Sequence, residues 1–112
     1  MANRVIATPF FEKRFKKLAK IFPSLSNELN DLGNKLIKNP ELGTSLGNGL
    51  FKIRLASKSK NTGKSGGFRV ITYLITETDE SVDINLIIIY DKSEISDIPK
   101  EELLKIVNEI FS

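Results

Sequence analysis

The sequence predicts one α+β domain, in which two N-terminal helices and a C-terminal helix pack on a small, mainly antiparallel sheet. Three observations predict it. Apolar residues recur at helical spacing through Leu36 and again after Pro99. Between Phe51 and Tyr90 the apolar period changes to two, and β-branched residues dominate. The chain has 112 residues, 40% apolar and 28% charged, enough for a single hydrophobic core without staples.

The first helix starts at Thr8-Pro9, with Thr8 as N-cap and Pro9 in the first helical position. Its apolar face is Phe11, Phe15, Leu18 and Phe22. Lys13, Lys16, Lys17 and Lys20 form its solvated side. A second helix begins near Pro23-Ser24, carries Leu25, Leu29, Leu32 and Leu36, and stops at Asn39-Pro40. So short a link predicts an antiparallel pair. Ahead of them, Val5-Ile6-Ala7 suits a short first strand. Glu41 to Asn48, marked by Gly43 and Gly47, reads as a loop.

Phe51, Ile53 and Leu55 then point one way along a strand, and Lys52 and Arg54 the other. Ser57 to Gly67 is a polar loop. Phe68–Thr76 and Val82–Tyr90 read as strands joined by a turn at Thr78–Ser81, and the second is apolar on both faces near Ile87–Ile89, as a central strand would be. These three strands form an antiparallel meander. The last helix begins at Asp97 or Ile98, has Pro99 in its first turn, and buries Leu103, Leu104, Val107, Ile110 and Phe111. Glu101 and Glu102 suit the positive end of its dipole.

Composition excludes several chemistries. There is no cysteine, hence no disulfide and no thiolate metal site. There is no histidine, hence no imidazole acid–base catalysis and no ordinary zinc site. No metal or other cofactor is expected. The longest apolar run, Leu86 to Ile89, is far below the ~20 residues of a membrane helix. The start lacks the pattern of a secretory signal, so the expected location is the cytoplasm.

Charge is segregated. Between Phe51 and Val70 there are six cations (Lys52, Arg54, Lys58, Lys60, Lys64 and Arg69) and no carboxylate. From Ile71 to Tyr90 all the charges are acidic: Glu77, Asp79, Glu80 and Asp83. An anionic partner for the basic segment follows. In a meander Lys52, Arg54, Arg69 and Tyr73 share a face, and Tyr90 and Lys92 match them in parity. Such cations would hold phosphates, with arginine offering paired donors and tyrosine a stacking surface. The same spacing also fits the solvated face of a half-exposed sheet, with the two tyrosines as core rings. Gly63-Lys64-Ser65 is not a phosphate-binding P-loop: Lys58 stands where the earlier glycine belongs, and a strand rather than a helix follows.

Three segments carry a family resemblance: Gly49-Leu50-Phe51-Lys52-Ile53-Arg54, Gly63-Lys64-Ser65-Gly66-Gly67-Phe68-Arg69-Val70-Ile71, and Leu86-Ile87-Ile88-Ile89-Tyr90-Asp91-Lys92-Ser93-Glu94. In combination they resemble the RelE/HigB branch of the RelE/ParE toxins, over nearly the whole chain. The resemblance implies a toxin of a type II toxin–antitoxin pair, which enters the ribosomal A site and cuts mRNA without a metal by 2′-hydroxyl attack. It implies Arg69 at the scissile phosphate, Lys52 and Arg54 as its basic strand positions, and Tyr90 and Lys92 as its third-strand ending. Lys58, Lys60, Lys64 and Tyr73 complete the expected RNA-binding set. Implied partners are a cognate antitoxin, the ribosome and mRNA. Some relatives use a histidine or a basic C-terminal tail, and this sequence has neither. The alternatives on the same fold are a non-enzymatic ParE-like topoisomerase inhibitor and an inactive member that only binds its antitoxin.

Overall fold

The computed structural model describes residues 3–60 and 67–112. Its order is β1 (Arg4–Ala7), α1 (Pro9–Ile21), α2 (Leu25–Lys38), β2 (Thr44–Gly47), β3 (Leu50–Leu55), β4 (Phe68–Thr78), β5 (Ser81–Asp91) and α3 (Lys100–Phe111), with a 3₁₀ turn at Lys58–Lys60. The strands form one five-stranded sheet in the order β1-β5-β4-β3-β2. β1 runs parallel to β5, and every other pairing is antiparallel.

Three expectations need correcting. The segment from Glu41 to Asn48 is not all loop, because Thr44–Gly47 pairs with β3 as an edge strand. Four residues, two of them polar, carry no readable period. Gly43 makes the pairing possible: its φ is +100°, and a Cβ there would lie 2.5 Å from the Lys52 carbonyl oxygen. The last helix begins at Lys100, with Pro99 just outside it. Phe111, expected in its core face, is 43% exposed.

Local chemistry accounts for α1. Thr8 Oγ1 accepts from the Phe11 amide at 3.2 Å and donates to the Leu86 carbonyl at 2.8 Å, so one hydroxyl caps the helix and ties it to β5. Arg14 then donates to the Ile89 carbonyl at 3.1 Å. Together Thr8 and Arg14 satisfy part of the β5 edge beyond the reach of β1, whose pairing ends at Leu86. Arg4 holds the start of β1 to Asp83 at 2.9 Å, directly across the register.

The sheet is covered on both faces. Phe11, Leu25, Leu32 and Leu36 from α1 and α2 pack against Ile53, Phe68, Val70, Ile84, Leu86 and Ile89. On the other face Leu103 and Val107 of α3 pack with Leu50, Ile71, Ile87, Ile88 and Tyr90. A bulge serves both. Ile71 pairs with Ile88 but Thr72 pairs with Leu86, so Ile87 is an extra residue in β5. The apolar run can thus feed Leu86 and Ile89 to one core and Ile87 and Ile88 to the other.

Candidate anion-binding cleft

The register carries the site. Thr44 pairs with Lys52, Arg54 with Arg69, and Arg69 with Tyr90. Residues directly opposite in a sheet project to the same face. Thr44, Lys52, Arg54, Arg69 and Tyr90 therefore gather on the α3 side, and Lys92 follows at matching parity. With Ser96 from the loop after β5 they line a cleft of about 160 Å³. Gly67 positions the strand that carries Arg69: a Cβ there would collide with the Leu55 carbonyl oxygen, so only glycine lets the chain pass so close before β4.

Four cations share this space with few anions. Lys52 Nζ pairs with Asp97 Oδ1 at 2.9 Å, and the Lys52 hydrogen bond holds that carboxyl below its usual range. Lys92 Nζ donates to the Ser96 carbonyl at 2.6 Å. Arg54 is exposed, whereas Arg69 is buried and donates to the Phe68 carbonyl at 3.3 Å. Tyr90 is also buried. Burial raises its phenol pKa, the Asp97 charge raises it further, and Arg69 opposes both. The phenol therefore stays protonated at neutral pH and can donate a hydrogen bond to a ligand. A small concave site with two guanidinium groups, two ammonium groups and a neutral phenol suits a phosphate group.

The structure thus brings together Lys52, Arg54, Arg69, Tyr90 and Lys92, and it places Tyr73, Lys58 and Lys60 elsewhere. Tyr73 shares the face of Arg69, but it lies four positions further along the strand, about 13 Å away. Its ring lies 5.6 Å from that of Phe111, beside α3. Lys58 is exposed, does not line the cleft, and donates its amide to Glu28 at 2.8 Å. Lys60 is on the opposite face, its Nζ 2.6 Å from both oxygens of Asp91. Lys64 lies outside the described residues, as does most of the Gly63–Gly67 motif. Thr44, Ser96 and Asp97 line or adjoin the cleft and were missed by sequence reasoning. Locally Asp97 has the character of a helix start, and nothing in its local sequence links it to Lys52, 45 positions away.

Among the described residues, no group of three or more His, Cys, Asp or Glu could hold a metal ion. No helix there is long and apolar enough to cross a membrane. The mixed sheet and the placement of the three helices form a RelE-like fold. A solved structure of the Escherichia coli toxin RelE, a double arginine-to-alanine mutant in the free state, matches with a TM-score of 0.60. The match covers 94% of this chain and 97% of that one, at 19% sequence identity. No protein-family model matches the sequence.

Proposed function

We propose that the chain is the toxin of a type II toxin–antitoxin pair and a ribosome-dependent mRNA endonuclease of the cytoplasm. The observation that carries this reading is the convergence of Lys52, Arg54, Arg69 and Tyr90, from three adjacent strands, and of Lys92, just past the third, on one small cleft. Its RelE-like fold supports the same class. In this reading the RNA 2′-oxygen bonds to phosphorus, the bond from phosphorus to the 5′-oxygen breaks, and a 2′,3′-cyclic phosphate forms. The 2′-proton passes to a base and the departing 5′-oxygen takes up a proton. Arg69 and Arg54 hold the non-bridging oxygens, Lys52 and Lys92 stabilise the charge that develops, and the neutral Tyr90 phenol donates a hydrogen bond. A cognate antitoxin neutralises the protein by covering this basic face.

Primer extension on mRNA from a translating extract, followed by mass spectrometry of the cut ends, tests the proposal. The expected product ends in a 2′,3′-cyclic phosphate or its 3′-phosphate derivative. A 3′-hydroxyl with a 5′-phosphate would mean hydrolysis by activated water. Intact mRNA together with inhibited DNA supercoiling would replace the nuclease with a topoisomerase inhibitor.

A further inference from the structure

Directly behind the cleft, on the α1/α2 side of the sheet, Lys60 and Asp91 form a buried ion pair. Lys60 Nζ lies 2.6 Å from each Asp91 oxygen and 3.3 Å from Ser93 Oγ. Only 11% of the Lys60 side chain and 6% of the Asp91 side chain are exposed. The ammonium also sits 5.4 Å from the ring centre of Phe22 and 5.6 Å from that of Phe68, two rings in edge contact. Asp91 accepts further bonds from the Ser93 amide at 2.9 Å and hydroxyl at 2.8 Å. Its carbonyl receives the Glu94 and Ile95 amides, which turns the chain after β5.

Asp91 stands between two cleft residues. Tyr90 precedes it and Lys92 follows it, both aimed at the opposite face. Across the register Asp91 pairs with Phe68 and Tyr90 with Arg69, and the Lys92 amide donates to the Gly67 carbonyl at 3.1 Å. The 3₁₀ turn that presents Lys60 is fastened in turn to α2, through Ser59 and Ser24 side chains 2.7 Å apart and Glu28 accepting from the Lys58 amide.

We propose that the Lys60–Asp91 pair is a positioning clasp, which holds from behind the two strand ends that carry Arg69, Tyr90 and Lys92 into the cleft. Lys60 is thereby a positioning residue rather than an RNA contact. A buried ion pair is a poor device for stability alone, because well-packed apolar residues of the same volume do as well or better. It does impose one geometry, since any slip of β5 against Phe68 would leave both charges buried and unpaired. Reacting groups need such precision: a misplacement of about 1 Å costs on the order of a hundredfold in rate.

The role in catalysis rests on the nuclease reading of the cleft, so the test includes a measurement independent of it. Lys60→Met keeps the apolar stem against Phe22 and Phe68, and Lys60→Met/Asp91→Leu removes both charges and leaves only the amide and hydroxyl of the exposed Ser93 to turn to water, so the double variant serves if the single substitution does not fold. Both are made in a Tyr73→Phe background, where ultraviolet absorbance reports the titration of Tyr90 alone. The clasp predicts that Tyr90 titrates at lower pH in either variant, as its burial loosens. It also predicts cleavage slowed about tenfold or more, with the salt slope of binding to a 2′-O-methylated RNA trinucleotide unchanged. An unmoved Tyr90 titration in the folded double variant overturns the clasp, whether or not the parent cuts RNA. Loss of trinucleotide affinity, with a salt slope smaller by about one, would instead make Lys60 a phosphate contact. If the parent leaves mRNA intact while the Tyr90 titration still falls, the nuclease reading fails and the clasp stands.

Discussion

Lys52 and Lys60 each hold an aspartate, on opposite faces of the same sheet and in opposite surroundings. Behind the sheet, Lys60 and Asp91 are closed in by Phe22 and Phe68, and both side chains are nearly inaccessible. In the cleft, the Asp97 side chain is 64% exposed and that of Lys52 29%. Covering a charge pair makes it costly to break and useful for fixing geometry. Leaving it wet makes it cheap to exchange, and a phosphate arriving at Lys52 needs only to displace one solvated carboxylate. The face that α1 and α2 cover closes over its ion pair, and the face that α3 covers only in part leaves the Lys52–Asp97 pair open to solvent.

The largest expected effect comes from breaking the covered pair on one side. Asp91→Ala leaves Lys60 buried without its partner and should cost about 3 kcal/mol or more of unfolding free energy, measured by urea denaturation. The acid limb should change too. Burial tends to raise the Asp91 pKa, but the hydrogen bonds from Lys60 and Ser93 outweigh it, so the carboxyl lies below its ordinary value of 3.8. A depressed carboxylate contributes stability above the unfolded pKa and loses it as pH falls through the folded one. The parent should therefore lose this contribution only as pH falls below about 4, and a folded Asp91→Asn protein should show a shallower acid limb there.

Next in size is Arg69→Ala. Losing about 3 kcal/mol of transition-state stabilisation would slow mRNA cleavage by over a hundredfold, with the folded state checked by circular dichroism. Full toxicity from a folded Arg69→Ala protein would remove the cleft from the chemistry.

A smaller effect of the opposite sign is expected from Asp97→Asn. With its competitor gone, Lys52 should bind an RNA oligonucleotide about fivefold tighter at low salt, the worth of one charge at about 4 Å in water, and the gain should shrink as salt rises. Stability should change by less than about 1 kcal/mol. A loss like that of Asp91→Ala would erase the distinction between the two pairs. Smallest of all is Lys58→Gln. An exposed lysine outside the cleft should leave thermal stability almost unchanged and lower the salt slope of RNA binding by at most about one.

How far the sequence is legible follows from which distances matter. The helices could be read because Phe11, Leu25, Leu32 and Leu36 recur at a period set by backbone geometry alone. Thr8 could be read as a cap because its partner, the Phe11 amide, is three residues away. Parity along single strands put Lys52 with Arg54, and Arg69 with Tyr73. It did not say that Tyr73 would lie beside Phe111, because period two gives a face but not a position under the covering helix. β2 escaped notice because an edge strand of four residues shows no alternation, although its Thr44 lines the cleft.

By itself the sequence determined the α+β class, the helical faces, the alternation that turns Lys52 and Arg54 away from Ile53, and the absence of imidazole and thiolate chemistry. These follow from local dihedral preference and composition, which act within a few residues. Only the tertiary structure decided which carboxylate each lysine meets. Lys60 reads in sequence like its neighbour Lys58, yet 31 positions on, Asp91 arrives behind the sheet and takes it up. Asp97 arrives at Lys52 from 45 positions away. Ion pairs form where the folded backbone brings side chains together, and between strand and loop that proximity depends on register and packing, which no run of neighbouring residues encodes.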